Sequence, residues 1–244
     1  KYSLMGPLNT EKKACQFCGD VPVVIKKGDL CPVCHIRYFF QNYLTHTAGK
    51  WDGMEFNILG WQDKILKDVY GTLREDGRRR YRYCYVEIPK KNGKTQLGAG
   101  IALYGLIGDD ENSAEVYSAA GDREQAGIVY HAARKMVENN PVLRRRLKVL
   151  DSKKRIIDYE TNSYYQVLSS ESFTKHGLNP STIIFDELHA QPNRDLYDVL
   201  TVGTNIAREQ QIIFVITTAG IADKTTIGYE VHNYAKDISK GIKE

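Results

Sequence analysis

The chain has 244 residues, of which 42% are hydrophobic and 26% charged. These are ordinary globular values, which predict a packed core and exclude wholesale disorder. The formal net charge of +4 is too mild to establish a nucleic-acid binder by itself. No apolar run approaches the roughly 18 residues that mark a membrane span, and the N-terminus lacks the basic–apolar–small pattern of a secretory signal.

Residues 10–40 are rich in cysteine. Cys15 and Cys18, then Cys31 and Cys34, form two C-x-x-C pairs near glycine or proline turns. That spacing brings four thiolates into a tetrahedron suited to Zn²⁺. Disulfides are the competing reading, which a cytosolic setting disfavours. A redox role is weakened by the presence of two copies and no flanking βαβ unit. His35 is an alternative fourth ligand. Cys84 falls in an apolar strand pattern and reads as an inert buried thiol.

Residues 41–80 read as a connector followed by a helix. Leu59, Ile65, Leu66, Val69 and Tyr70 recur at helical spacing, and Gly71 stops the pattern. Within it, Trp61 and Gln62 set an aromatic ring beside an amide, a pair that stacks on adenine and reads its edge. An ordinary amphipathic helix explains the same residues.

Residues 81–244 alternate strand and helix. Strands are predicted at 81–88, 114–119, 156–159, 164–169, 182–185 and 211–217, and helices at 94–107, 122–140 and 223–238. The pattern argues an α/β fold, a mostly parallel sheet covered by helices on both faces. Three basic runs, Arg78–Arg80, Arg144–Arg146 and Lys153–Arg155, suit either a phosphate backbone or solvated turns.

The segment Ile88-Pro89-Lys90-Lys91-Asn92-Gly93-Lys94-Thr95 lies between a predicted strand and a predicted helix. A phosphate-binding loop needs that context, because backbone N–H groups and the dipole at a helix start favour negative charge. Gly93 allows close approach, Lys94 reaches the β- and γ-phosphates, and Thr95 offers its hydroxyl to Mg²⁺. Ile88 stands where the usual pattern has its first glycine, so the loop is degenerate.

An apolar strand, Thr182-Ile183-Ile184-Phe185, ends in Asp186 and Glu187. Two adjacent carboxylates at the end of a buried strand are costly unless they serve a purpose. Asp186 is expected to hold Mg²⁺, and Glu187 to orient and deprotonate the attacking water. A second apolar strand ends in Thr217-Thr218-Ala219-Gly220. In phosphate-loop ATPases such a strand end lies between the acidic strand and the loop, where it feels the γ-phosphate.

Together these residues resemble the large terminase subunit of tailed bacteriophages, the HK97-like group in particular. The resemblance runs from about Leu59 to about Tyr234. It is carried by Pro89–Thr95, Ser118–Ala126, His176–Pro180, Ile184–Glu187 and Ile216–Gly220 in order. It implies an additional-strand, RecA-like P-loop ATPase that uses ATP to pump double-stranded DNA through a portal protein into an empty capsid. It also implies a small terminase subunit as partner, a ring of copies on the capsid and a monomer in solution, and action in the cytoplasm of the infected host. The start at Lys1 without a Met reads as that of a fragment; the resemblance implies a C-terminal nuclease domain that would begin where this sequence ends, so no DNA cutting is expected of the chain alone.

Two departures stand out. Many terminases have an arginine at the position of Lys90, and the cysteine-rich N-terminus is not a general family feature. The resemblance also implies an arginine from a neighbouring subunit. Candidates are Arg123, Arg144, Arg145, Arg146, Arg194 and Arg208, with Arg123 foremost; spacing does not choose among them. Two rival readings remain: Asp186-Glu187-Leu188-His189 is also a helicase box, and the cysteines with the basic runs suit a binding module with a dead nucleotide site.

Overall fold

The computed structural model describes residues 30–170, 177–202, 208–220 and 223–243. It also describes the backbone of two short antiparallel strands, β1 (Glu11–Lys13) and β2 (Val23–Ile25). The side chains of Arg123 and Ala126 lie outside that description.

Helix α1 (Pro32–Tyr43) begins at Cys31, whose Sγ accepts the Cys34 N–H at 3.3 Å, with Pro32 opening the first turn. It packs Ile36, Phe39 and Phe40 into the main core. Arg37 clamps it to Asp63 of α2 (Gly60–Gly71) through two hydrogen bonds of 2.6 and 2.7 Å. α1 runs across the boundary between the cysteine-rich segment, residues 10–40, and the connector that follows it, where the sequence predicts no helix. Its stripe Ile36, Phe39, Phe40, Tyr43 has helical spacing all the same.

The central sheet runs in the order β3-β9-β8-β4-β7-β6-β5. Its strands are β3 (Tyr83–Glu87), β4 (Glu115–Ala120), β5 (Leu147–Leu150), β6 (Arg155–Asp158), β7 (Ser163–Ser169), β8 (Thr182–Asp186) and β9 (Ile212–Thr217). The five from β3 to β7 are parallel, and β6 and β5 extend the sheet antiparallel. β8 and β9 are buried along their whole length, which is why they read as continuous apolar runs rather than as alternation. Ile184, Phe214 and Ile216 enter one core with α1, α2, α3 (Lys94–Ile107) and α4 (Arg123–Asn139). Ile183, Phe185, Ile213 and Val215 enter the other with α6 (Asp195–Thr201) and α7 (Ile227–Ser239).

α3 is apolar on every side and is buried accordingly. At Gly100 a Cβ would sit 2.5 Å from the Phe40 ring, so glycine is what lets α1 cross so closely. The short helix α5 (Pro141–Arg146) and strand β5 were not anticipated, because the arginine run masked them.

Each basic run sends one arginine inward. Arg79, 7% exposed, forms a two-pronged ion pair with Asp109 at 2.6 and 2.9 Å. Arg146 pairs with the fully buried Asp158 at 2.6 Å. Arg155 lies 3.7 Å over the Tyr164 ring. For these three residues neither the phosphate backbone nor the solvated turn holds. Among the described residues, no helix is long and apolar enough to cross a membrane.

Candidate active site

β3 delivers the loop. The Ile88 N–H donates to Thr217 O at 3.1 Å, so the chain is still strand-like where the usual pattern has glycine. The tight turn comes later, at Lys91 and Gly93, with φ of 67° and 82°. The Asn92 amide ties that turn from inside, donating to Pro89 O at 3.1 Å and to Lys90 O at 3.3 Å. A Cβ on Gly93 would lie 3.3 Å from Gln62 Nε2. The amide singled out in the sequence therefore flanks the loop. It is 2% exposed, and its Oε1 accepts the Leu59 N–H at 2.9 Å. Trp61 is half-buried against the main core.

Lys94 opens α3 and is 8% exposed. Its Nζ donates to Ile88 O at 2.8 Å and to Pro89 O at 3.4 Å, and stands 3.7 Å from Glu187 Oε1. Asp186 ends β8 at 9% exposure. Burial, reinforced by the neighbouring Glu187 charge and only partly countered by Lys94, pushes its carboxyl up to about 6.

Glu187 takes a left-handed backbone conformation, φ 50° and ψ 56°, unusual for a residue with a Cβ. The turn swings its carboxylate toward the end of β9. There Oε2 accepts from Thr218 N at 2.8 Å, Thr218 Oγ1 at 2.9 Å and Thr217 Oγ1 at 3.2 Å. Burial works against the charge. The Thr218 bonds, with Lys94 and His189, outweigh it and keep the carboxyl below the usual glutamate value.

A cleft of about 250 Å³ gathers Lys90, Lys94, Thr95, Asp186, Glu187 and Thr218. Its remaining wall includes Gln125 and Ile128 from α4, and His189. The sequence reading did not assign these three to the site. Only the D-E-x-H spelling hinted at His189, and nothing local marks a helix face as cleft-lining. β9 lies between β3 and β8, so Thr217 and Thr218 sit between the loop and the acidic pair, as the sequence predicts. Lys91 and Asn92 are exposed on the loop.

Among the described residues, no group of three or more His, Cys, Asp or Glu side chains is gathered as a metal site. Thr95 and Asp186 instead offer a hydroxyl and a carboxylate to the same cleft. Cys31 and Cys34 are described, whereas Cys15 and Cys18 lie outside the described residues. His35 turns its Nδ1 to the Tyr104 hydroxyl at 2.9 Å, and burial lowers its pKa to about 4. Of the arginine candidates, Arg146 and Arg208 are committed internally. Arg208 pairs with Glu111 at 2.8 Å and donates to the Ser113 and Asn179 carbonyls. Arg194 pairs on the surface with Asp198 and Glu230. Arg144 and Arg145 are exposed. The Arg123 side chain lies outside the described residues.

Residues 60–237 match the family model for the ATPase domain of the terminase large subunit. The terminase large subunit of Enterobacteria phage HK97 is 31% identical over 201 residues, covering 81% of this chain and 39% of that protein. The crystal structure of the HK97 large terminase superposes with a TM-score of 0.70 at 25% identity, over 86% of this chain and 42% of that one. The Thermus phage P74-26 large terminase ATPase domain shares the fold, with a TM-score of 0.50 at 14% identity over 72% of this chain and 71% of that one. The chain thus spans about two fifths of the HK97 relative's length. The family model spans the loop, the acidic strand and β9 together, and the chain belongs to the terminase large-subunit family, as its ATPase domain.

Proposed function

We propose that this domain is the motor of a viral DNA-packaging terminase, coupling ATP hydrolysis to movement of double-stranded DNA into a procapsid. The observation that carries the reading is the convergence of Lys94, Asp186, Glu187 and Thr218 on one cleft. The triphosphate lies along the Lys90–Thr95 loop, and Lys94 exchanges its two carbonyl partners for phosphate oxygens. Glu187 is ionised, its Oε1 faces the cleft, and it accepts the proton of the attacking water, a role typically worth ~10²–10⁴-fold in rate. Lys90 adds charge to the loop, as a point charge rather than a fork. Trp61 and Gln62 stand on the adenine side, and Arg123 is the foremost candidate for the arginine that completes a neighbour's site.

Hard oxygen donors suit Mg²⁺, and a carboxyl lifted to about 6 by burial is one that a cation would ionise, so Thr95 and Asp186 are its proposed ligands. When bound, the ion neutralises phosphate charge during transfer. Cys31 and Cys34 form a C-x-x-C turn whose first sulfur accepts the N–H of the second, a geometry that suits thiolate ligands. With Cys15 and Cys18 they are the proposed zinc knuckle.

Portal protein and small terminase subunit are the proposed partners, the host cytoplasm the proposed compartment, and a ring of copies the working form. The test is ATP turnover per chain as concentration rises. Turnover that climbs with concentration is expected, because neighbours complete each site. Flat turnover accompanied by strand separation of duplex DNA would favour the helicase alternative, which the comparisons do not favour.

A further inference from the structure

His189 is a polar group at the cleft to which the phosphate chemistry gives no task. It sits on the turn of 3-10 helix Leu188–Ala190, directly after Glu187. Its side chain is 32% exposed and also borders a second cleft of about 430 Å³ between β9 and α7. Three glycines hold the turn in place. A Cβ on Gly228 would lie 2.6 Å from His189 Cα, and one on Gly220 would lie 2.7 Å from His189 Cβ. A Cβ on Gly121 would strike the Ala190 carbonyl. The turn that carries the imidazole is therefore packed closely on three sides.

The tautomer of His189 decides which hydrogen bonds Thr217 can make. His189 Nδ1 is 2.9 Å from Thr217 Oγ1. The Thr217 hydroxyl has one hydrogen and two acceptors in reach, Glu187 Oε2 at 3.2 Å and Thr218 O at 3.0 Å. The two ring tautomers differ at this bond: Nδ1 either accepts the hydroxyl hydrogen or, where the hydroxyl donates to Glu187 or Thr218, is the N–H donor to Thr217. Nδ1 is also 3.4 Å from Glu187 Oε2. An acceptor nitrogen at the same place would draw the hydroxyl hydrogen to itself and strip one donor from the carboxylate.

We propose that His189 is a positioning residue for Glu187. With the hydrogen on Nδ1, the imidazole leaves the Thr217 hydroxyl free to donate to the carboxylate, helping the Thr218 bonds hold Oε2 at β9 while Oε1 faces Lys94 and the phosphates. This rests on the reading of Glu187 as the base. The pinned carboxylate needs no reorganisation at the moment of reaction, and such preorganisation acts on turnover rather than on binding.

The experiment compares His189→Ala, His189→Gln and His189→Asn in the full chain. Steady-state ATPase kinetics, nucleotide titration and thermal melting are measured for each. Asn carries an N–H donor near the Nδ1 position; Gln carries it one carbon farther out, and Ala carries none. Ala and Gln are expected to lower kcat about 10-fold, less than the ~10²–10³ lost with a donor that touches the reacting centre. KM and nucleotide affinity should change less than about 2-fold, and Asn should restore most of the turnover. Thr217→Val should lower kcat to the same degree, and the double variant with His189→Ala should add little further loss, as for residues in one network. Asn as slow as Ala at equal melting temperature would overturn the proposal, as would wild-type turnover in His189→Ala. Glu187→Gln, assayed alongside, separates the two ideas: activity there would remove the base reading whatever His189 does.

Discussion

Lys94 Nζ stands 3.7 Å from Glu187 Oε1, where the loop after β3 meets the end of β8. The ammonium is thus the counter-ion of the acidic pair while it also satisfies two loop carbonyls. In the proposed function both duties end when phosphate oxygens arrive, which would couple nucleotide binding to the electrostatics of Asp186 and Glu187.

Replacing Lys94 by Ala removes charge-assisted hydrogen bonds typically worth about 1.5–3 kcal/mol each. ATP affinity should fall about 10- to 100-fold in an equilibrium titration. Unchanged affinity would place the phosphates elsewhere.

Glu187→Gln keeps the shape of the side chain and removes the base. Turnover should drop ~10²–10⁴-fold while nucleotide binding is retained. Loss of binding instead would assign Glu187 a structural role at the end of β8.

Gly121→Ala and Gly228→Ala press a methyl group onto the turn that carries His189 and Ala190. Overpacking of this kind typically costs about 1–3 kcal/mol. The displaced turn should lower kcat at a modest fall in melting temperature. Wild-type kcat in both variants would mean that the turn's position does not matter to catalysis.

Asp109→Ala leaves the Arg79 guanidinium buried without its ion-pair partner. Breaking such a pair typically costs about 3–5 kcal/mol. Urea unfolding should report that loss, with ATP affinity of the folded fraction unchanged, since the pair lies on β4's approach and not in the cleft. A change below 1 kcal/mol, on the order of a surface pair, would contradict the buried-pair reading.

The purified chain should carry one Zn²⁺ by elemental analysis, and Cys31→Ser together with Cys34→Ser should abolish it. Metal-free wild-type protein would dismiss the knuckle and leave Cys31 as a helix cap.

By itself the sequence determined the elements that matter most for the chemistry. α3 falls at Lys94–Ile107 as predicted, because a glycine and an apolar run delimit it. β8 and β9 announce themselves because strands buried on both faces must be apolar throughout. Their polar ends, Asp186-Glu187 and Thr217-Thr218, are legible for the same reason: polar groups at the end of a buried strand are conspicuous. Tertiary structure alone decided the rest. It turned Arg79, Arg146 and Arg155 inward, because only the folded chain brings Asp109, Asp158 and Tyr164 to them. It also brought His189 to Thr217, 28 residues away in sequence, by pairing β8 with β9 and wedging the intervening turn against three glycines. Periodicity records which face of an element is buried, but not which distant residue meets it there.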